Sequence, residues 1–287
     1  SCARFPLTPE CIMRLHIHHT TRYRYNDPAA YSIQHLRLTP PSDANQQILA
    51  WRVSTPGHPR QQRDAHGNVI HTLSLTNPHQ EIAFVVDGEV ETRDEPALLP
   101  RGDGLSPLAY LADSPLATPD EAITAFAREY GIGGSRREIL MALMRAICTK
   151  VRYQPGSTEV HHTAAEAFAL GEGVCQDQAH VFVACCRVLG IPARYISGYL
   201  FTDADHAASH AWADAWLEDD LGWISCDITH QRFADGHLCR LAVGRDYLDA
   251  GPIRGVRRGG SGESMQVHVI VADNLAPVRD AQQAAQQ

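Results

Sequence analysis

The sequence predicts an α+β domain and, ahead of it, a β-sandwich-like module. Residues 13–95 consist of short runs of alternating apolar and polar residues, separated by turn signals such as Asn-Asp-Pro and His-Gly-Asn, which is typical of antiparallel strands. From residue 119 onward helix-start signals follow one another, and the strand pattern then returns. Helices followed by a run of strands indicate an α+β domain.

The same patterns divide the chain into five segments. The first has no clear period, and we expect the natural start of the chain at Met13. A proline-rich stretch marks the boundary between the two folded units, and a short Gln/Ala tail ends the chain. The predicted segments are an upstream extension or cloning remnant (1–12), the N-terminal β-rich module (13–95), a linker (96–118), the α+β domain (119–275) and a flexible tail (276–287).

Capping signals mark the starts of three helices in the α+β domain. Thr118 is predicted as an N-cap with proline at the first helical position, and capping boxes are predicted at Ser135 to Glu138 and at Thr163 to Glu166. The helices are expected near 119–130, 136–150 and 163–170. A fourth helix follows, and then strands at "ARYISGYL", "SHAWADAWL", "GWISCD" and "MQVHVIVA" complete the predicted domain.

Composition excludes several classes of protein. The chain has 287 residues and a formal net charge of -8, which gives no reason to expect nucleic acid or an anionic membrane as a partner. No apolar run reaches the roughly 18 residues that a membrane helix needs, and no signal segment is recognisable. The 8 cysteines are too sparse for a disulfide scaffold and include no CxxC pair of the kind that binds zinc. We therefore expect a cytoplasmic protein with reduced thiols and no structural metal.

Cys175 is the cysteine whose position points to chemistry. It follows Gly171 and Gly173 and begins a helix that is apolar over most of its circumference, so the helix is expected to be central and buried. Free backbone N–H groups and the helix dipole at such a start favour a thiolate and could receive a developing oxyanion. A cysteine at a buried helix start is also common core packing, and the local sequence leaves both interpretations open.

A thiolate nucleophile needs a base, and His210 with Asp227 is the pair that the strands offer. Pairing Leu217 with Gly222 sets His210 opposite Thr229, with Asp227 as its diagonal neighbour on the same face. Closing the turn by two residues sets His210 directly opposite Asp227. In both registers the imidazole and the carboxylate share a face, although a lone strand histidine is more often just a polar residue.

Three stretches resemble the transglutaminase-like superfamily, in particular the bacterial group that carries an N-terminal β-rich region and is described as candidate cysteine proteases. They are "TAAEAFALGEGVCQDQAHVFVACCRVLGIPARYISGYL", "SHAWADAWLEDDLGWISCDIT" and "AVGRDYLDAGPIRGVRRGG", and the resemblance extends from about Met13 to Val271. It implies a papain-like catalytic domain in which a helix bearing the cysteine packs on an antiparallel sheet. The family's nucleophile falls on Cys175, its base on His210 and its orienting acid on Asp227.

Two positions depart from the family pattern. Ile228 stands where a proline usually follows the acid, and this alters the turn but leaves the carboxylate in place. Gln178 stands where phenylalanine is common, which affects local packing. Tyr153, Gln176 and Asp177 are further candidates for oxyanion or substrate contacts, although Gln176 and Asp177 are equally expected as helix caps.

The predicted function is cysteine-dependent acyl transfer on amide bonds of peptides or proteins, through a Cys-His-Asp triad and a thioester. Hydrolysis is expected as the principal reaction. The alternatives are a protein-glutamine gamma-glutamyltransferase, in which an amine takes the acyl group, and an inactive binding or scaffolding module. No cofactor and no metal are implied, and the expected partner is a peptide or protein substrate. The sequence does not indicate the oligomeric state.

Overall fold

Two antiparallel sheets and a set of helices make up the fold. The computed structural model describes residues 12–94, 98–101, 104–202, 209–217 and 221–273. The strands in the first part of the chain are β1 (Ile12–Thr39), β2 (Gln46–Ser54), β3 (Arg60–Arg63), β4 (Val69–Leu75) and β5 (His79–Arg93). A 3₁₀ helix (Pro107–Leu111) follows, and then α1 (Glu121–Tyr130), α2 (Arg136–Lys150), β6 (Arg152–Tyr153), α3 (Ala164–Leu170), β7 (Glu172–Gly173) and α4 (Cys175–Val188).

The remaining elements are mainly strands. They are β8 (Ala193–Leu200), β9 (Ser209–Trp216), β10 (Trp223–Asp227), β11 (Arg232–Phe233), β12 (Leu238–Gly244), a short helix α5 (Tyr247–Ala250), β13 (Ile253–Gly259) and β14 (Glu263–Asp273). Among the described residues, no helix is both long enough and apolar enough to cross a membrane.

The N-terminal sheet is organised around β1, the longest strand. Its first half pairs with β5 on one side and β14 on the other, and its second half pairs with β4 and β13. The predicted turn at Asn26-Asp27-Pro28 does not reverse the chain. Instead, the pairing with β5 is interrupted between Arg24 and Ala29, because proline has no N–H to donate to the ladder. Two predicted strands are therefore one long strand with an irregular centre.

The last two strands belong to the N-terminal sheet, which differs from the predicted segment 119–275. Strand β14 pairs with β1 from Leu15 to Tyr25, and β13 pairs with it from Ala29 to Leu36. Strand periodicity shows that a segment is extended but not which sheet receives it. Strand β5 pairs with one edge of the first half of β1, and β4 pairs with one edge of its second half. The other edge of each half is paired by β14 and β13, respectively. The α+β domain is thus enclosed between two parts of one β module.

The second sheet has the order β11-β10-β9-β8-β12, and α4 packs against it. Helix α4 is surrounded by α1, α2, α3 and the sheet, as its apolar circumference predicts. The face of β9 toward the helices carries alanines, which let the helix approach closely: Ala211, Ala213 and Ala215. The predicted transglutaminase-like architecture, with the cysteine helix on an antiparallel sheet and a β-rich module ahead of it, is confirmed.

The capping predictions are confirmed at two helices and corrected at the third. Helices α2 and α3 begin with the predicted capping boxes. Helix α1, however, begins at Glu121 with Asp120 as its N-cap, and the Asp120 carboxylate accepts the N–H of Ile123 at 2.8 Å. The Thr118 hydroxyl does not cap the helix and instead donates to the carbonyl of Ser114, four residues earlier.

The two ends of the predicted segmentation differ from the structure in smaller ways. Ile12 already opens β1, while residues 1–11 and the tail 276–287 lie outside the described residues. The linker is partly structured, because Leu99 and Tyr110 pack with Trp216 and Trp223 beneath the second sheet.

A buried ion network ties the second sheet together. Asp214 is fully buried and accepts from Arg240 at 2.6 Å, from Arg194 at 2.9 Å and from the Ser225 hydroxyl at 2.6 Å. Burial by itself raises the pKa of Asp214, but the two guanidinium groups outweigh burial and lower it. The guanidinium of Arg194 also lies 4.2 Å from the ring centre of Trp223, so this network continues into the aromatic cluster.

We predict that Asp214→Asn strongly destabilises the protein, because it leaves two guanidinium groups in a buried place without their counterion. The expected loss is about 3–5 kcal/mol in the free energy of unfolding, measured by urea denaturation at neutral pH. Asp87→Asn is the matched control, since Asp87 makes equally short contacts with His18 and Arg52 at an exposed site. Its expected effect is below about 1 kcal/mol. Equal effects of the two substitutions would contradict the prediction.

Candidate active site

A tight turn places Cys175 at the first position of α4. Gly171 ends α3 with a φ of 74°, a left-handed conformation that glycine adopts without strain. At Gly173 a Cβ atom would lie 2.7 Å from the Cβ of Asp177, so only glycine fits there. Asp177 accepts the backbone N–H of Val174 at 2.8 Å and the hydroxyl of Thr158 at 2.6 Å. The structure therefore uses Asp177 as a cap of α4, one of its two expected roles.

His210 and Asp227 meet on adjacent strands. The imidazole Nε2 donates to Asp227 Oδ1 at 2.9 Å, and both side chains are buried. The N–H of Leu217 bonds the carbonyl of Gly222, which is the first of the two predicted registers. The ring of Trp212 stacks on His210 with centroids 5.9 Å apart, and this contact restricts rotation of the imidazole.

Cys175 lies beside the ring of His210, close enough for its thiol to raise the pKa of the imidazole. Since Nε2 is occupied by Asp227, Nδ1 is the ring nitrogen left for the thiol. Burial lowers the pKa of His210, but the hydrogen bonds with Asp227 and Cys175 and their negative charges outweigh burial and raise the pKa to about 10. The imidazole of His210 is therefore protonated at neutral pH.

Asp227 has a second histidine partner that the sequence did not reveal. His230 Nδ1 donates to Asp227 Oδ2 at 2.7 Å, so each carboxylate oxygen is hydrogen-bonded to one imidazole. Burial raises the pKa of Asp227. The hydrogen bonds and charges of the two histidines outweigh burial and hold this pKa well below its usual range. The only signal of this contact in the sequence is that a histidine follows Asp227 by three residues. Where that histidine lies depends on the turn that follows β10.

The Gln178 side chain forms two hydrogen bonds in addition to its packing contacts. Its Nε2 donates to the carbonyl of Val151 at 2.9 Å, and its Oε1 accepts the hydroxyl of Thr229 at 2.8 Å. The phenylalanine that is common here could make neither contact. Gln178 thus connects α4 to the turn that holds Asp227 and His230.

The two other candidate contacts lie at the edge of the site. Tyr153 is 52% exposed and sits on β6, which pairs with β7 just before Cys175. Burial and then the charge of Cys175 raise the pKa of Tyr153, so its hydroxyl keeps its proton at neutral pH. Gln176 donates its side-chain amide to the carbonyl of Val160 at 2.9 Å. Tyr195, which the sequence did not single out, lies buried in the pocket beside Cys175.

Two groups of side chains within the described residues bring three metal-ligating atoms together. They are His210 with Asp227 and His230, and Asp94 with Asp235 and His237. In the first group both carboxylate oxygens already accept short hydrogen bonds. In the second, Asp235 pairs with His237 and with Arg232. These contacts account for both groups without a metal ion.

The remaining described cysteines are core residues. Burial raises the pKa of Cys185 to about 12, and burial followed by the charge of Asp227 raises that of Cys148 to about 11. Cys239 is fully buried between the two sheets, and Cys2 lies outside the described residues. The described cysteines are all free, as expected for reduced thiols.

Comparison with known proteins identifies the family. Residues 15–91 match the bacterial transglutaminase-like N-terminal region, and residues 124–228 match the transglutaminase-like superfamily. The chain belongs to this superfamily. It is 32% identical to an uncharacterized protein of Mycobacterium leprae, over 90% of this chain and 98% of that protein.

Two further relatives carry names that describe an activity. A candidate cysteine protease from Cytophaga hutchinsonii has the same fold, with a TM-score of 0.75 and 24% identity over 92% of this chain and 91% of that chain. A protein-glutamine gamma-glutamyltransferase of Pseudomonas aeruginosa is 27% identical over 42% of this chain, and the match covers 21% of that enzyme.

We predict that iodoacetamide at pH 7 modifies Cys175 about a hundredfold or more faster than Cys148. Both thiols are half-buried, but a thiol with a pKa of about 11 is a thiolate in only about one molecule in ten thousand at this pH. Timed quenching and peptide mapping by mass spectrometry give both rates. The denatured chain is the control, in which the two rates should converge, and similar rates in the folded protein would contradict the prediction.

We also predict that Asp227→Asn lowers the pKa of His210 by at least about two pH units, because burial then acts without the opposing carboxylate. Two-dimensional NMR of the imidazole nitrogens between about pH 5 and pH 11 measures the change without a substrate. His180 is the internal control, since burial lowers its pKa to about 4 and it should stay neutral in both proteins. If His210 titrated at the same pH in the native protein and in Asp227→Asn, the contact between His210 and Asp227 would not be the cause of the raised pKa.

Proposed function

We propose that the protein is a cysteine-dependent acyl-transfer enzyme that hydrolyses amide bonds of peptides or proteins. The observation that carries this proposal is that Cys175, at the start of a buried helix, lies beside His210, which is itself hydrogen-bonded to Asp227. These are the side chains and the order that thiol-based acyl transfer requires. Membership of the transglutaminase-like superfamily supports the same chemistry.

In the first half of the reaction, Cys175 Sγ bonds to the carbonyl carbon of the amide, and the C=O electron pair moves onto the oxygen. The C–N bond then breaks with its electron pair on nitrogen. His210 gives that nitrogen the proton it had taken from the thiol, and the free amine leaves. The acyl group stays on Sγ as a thioester.

In the second half, His210 takes a proton from a water molecule as the water oxygen bonds to the thioester carbon. The C–S bond breaks, and a carboxylic acid and the Cys175 thiolate are released beside a protonated imidazole. Asp227 stabilises that charge in both halves and fixes which ring nitrogen faces the thiol. The backbone N–H of Cys175 is one oxyanion donor in this proposal, and the Tyr153 hydroxyl is the candidate for a second.

The surroundings of the tryptophans support hydrolysis over amine transfer. A transferase has to shield its thioester from water, and tryptophans on the strands near the site could wall a tunnel that does so. In the structure Trp216 and Trp223 pack with Tyr110, while Trp212 packs with Ile196. None of these tryptophans is among the described residues that line the pocket beside Cys175. They serve as core.

Transglutamination remains the second candidate, because the relative from Pseudomonas aeruginosa carries that name and shares part of this chain. The cytoplasmic location stays a prediction from composition.

The proposed function is tested by giving the purified protein a peptide library with and without a labelled primary amine, and by analysing the products by mass. We expect cleaved or deamidated peptides, lost in Cys175→Ser and retained in Cys148→Ser. We expect Asp227→Asn to reduce turnover by at least about a hundredfold. Amine adducts that dominate the products would favour the transglutaminase. No product from a protein whose Cys175 also fails to react faster than Cys148 with iodoacetamide would favour the binding module.

A further inference from the structure

The pocket beside Cys175 is built by both sheets. It has a volume of about 250 Å³ and opens next to the thiol and the His210 ring. One wall comes from the second sheet and includes the buried Tyr195. The opposite wall comes from two paired strands of the N-terminal sheet: Thr21 and Tyr23 of β1, and Met265 and Val267 of β14.

The register of these strands explains why the four side chains face the pocket together. Thr21 pairs with Val267, and Tyr23 pairs with Met265, so all four lie on the same face of the N-terminal sheet. His19, on the same face, forms hydrogen bonds with Tyr199 of β8 at 2.9 Å and with Thr21 at 2.8 Å. These buried bonds hold the wall in a fixed place against the second sheet.

The described lining of the pocket contains no Asp, Glu, Lys or Arg. Burial, helped by the charge of His18, lowers the pKa of His19 to about 4, so this side chain is neutral at pH 7. Burial likewise raises the pKa of Tyr23, which stays protonated. The wall that β1 and β14 form has no charged side chain among these lining residues. A charged group bound against that wall would lose hydration there without gaining a charged partner.

The volume of the pocket and its exposed apolar side chains indicate which kind of group it binds. A cavity of about 150 Å³ accepts a benzene ring, so this pocket has room for one aromatic or branched aliphatic side chain and the adjoining amide. Met265 and Val267 are 55% and 47% exposed, although they lie on the inward face of their strand. An apolar group bound against them would remove that surface from water.

We propose that this pocket binds an apolar side chain of the acyl donor, next to the carbonyl that Cys175 attacks, and that β14 selects for it through Met265 and Val267. The N-terminal module is then part of the substrate site. This inference rests on the proposed function, since it assumes that Cys175 takes the acyl group.

Peptidyl chloromethyl ketones test the proposal on the whole chain without knowledge of the natural substrate. In each probe the thiolate Sγ bonds to the methylene carbon and chloride leaves, and the side chain beside the ketone is varied among Phe, Leu, Asp and Lys. The rate of Cys175 modification is measured by mass spectrometry. We expect the Phe and Leu probes to react about tenfold or more faster than the Asp and Lys probes.

Variants of β14 localise the effect. Val267→Glu is expected to slow the Leu probe by about tenfold or more, because it places a carboxylate in the apolar wall. Ile270→Glu is the matched control, since Ile270 is 41% exposed but pairs with His18 on the outward face of the same sheet. It should leave the rate of the Leu probe unchanged. Equal effects of the two variants would overturn the role of β14.

Iodoacetamide separates the two proposals. It has no side chain to place in the pocket, so its rate with Cys175 in each variant measures the reactivity of the thiol itself, and the rate of the Leu probe is expressed relative to it. If iodoacetamide modifies Cys175 selectively but the four ketones react equally, or the charged ones react faster, the side-chain proposal fails and the proposed function stands. If Cys175 reacts no faster than Cys148 with iodoacetamide, both proposals fail.

Discussion

The hydrogen bond between His210 and Asp227 is the interaction on which the site depends, because it keeps a charged imidazole stable in a nearly dry part of the fold. A carboxylate removed from water costs several kcal/mol unless each oxygen finds a donor. Asp227 meets that condition with two imidazoles, and the second of them, His230, is partly exposed. One oxygen of this carboxylate therefore contacts the buried His210, and the other contacts a histidine that reaches solvent. The same constraint is met in a different way at Asp214, where two arginines and a serine surround the carboxylate and leave no group free to react.

The position of the thiol depends on how closely α4 can approach the second sheet. Alanines on the inward face of β9 leave room for the helix, so its first residue comes within reach of a histidine on that strand. Three constraints then fix the helix start: the left-handed Gly171, the cap made by Asp177 and the contact of Gln178 with Thr229. The last of these joins the element that carries the thiol to the turn that follows the acid. The segments that carry Cys175 and Asp227 are thus joined by a side-chain hydrogen bond as well as through the imidazole of His210.

Local rules predicted much of the site, and the failures share a physical cause. The helix start at Cys175, the capping boxes at Ser135 and Thr163 and one of the two registers of the hairpin follow from residues close together in the chain. The partnership of His230 with Asp227 depends on the path of a turn, which periodicity does not describe. At the start of α1 both Thr118 and Asp120 have side chains that can cap a helix, and which of them accepts the N–H of Ile123 depends on the path of the backbone there.

The prediction placed the last two strands in the α+β domain, and it failed for a related reason. The pattern of "MQVHVIVA" shows an extended segment that is apolar on one side, and it predicts a strand correctly. Its partner, however, lies about 250 residues earlier in the chain, and only the unsatisfied edge of β1 selects it. Such long-range pairing carries no local signature.

The return of the chain to its own first strand has a consequence for the order of events during synthesis. Of these two paired strands β1 is synthesised before β14, so this pairing of the N-terminal sheet can form only after the segments between them have been made. Cys175, His210 and Asp227 all lie in the chain between the two strands. A nascent chain that ends before β14 would already contain these three residues, yet it would lack one wall of the pocket beside them. The fold therefore delays completion of the pocket until after the residues at its base have been made.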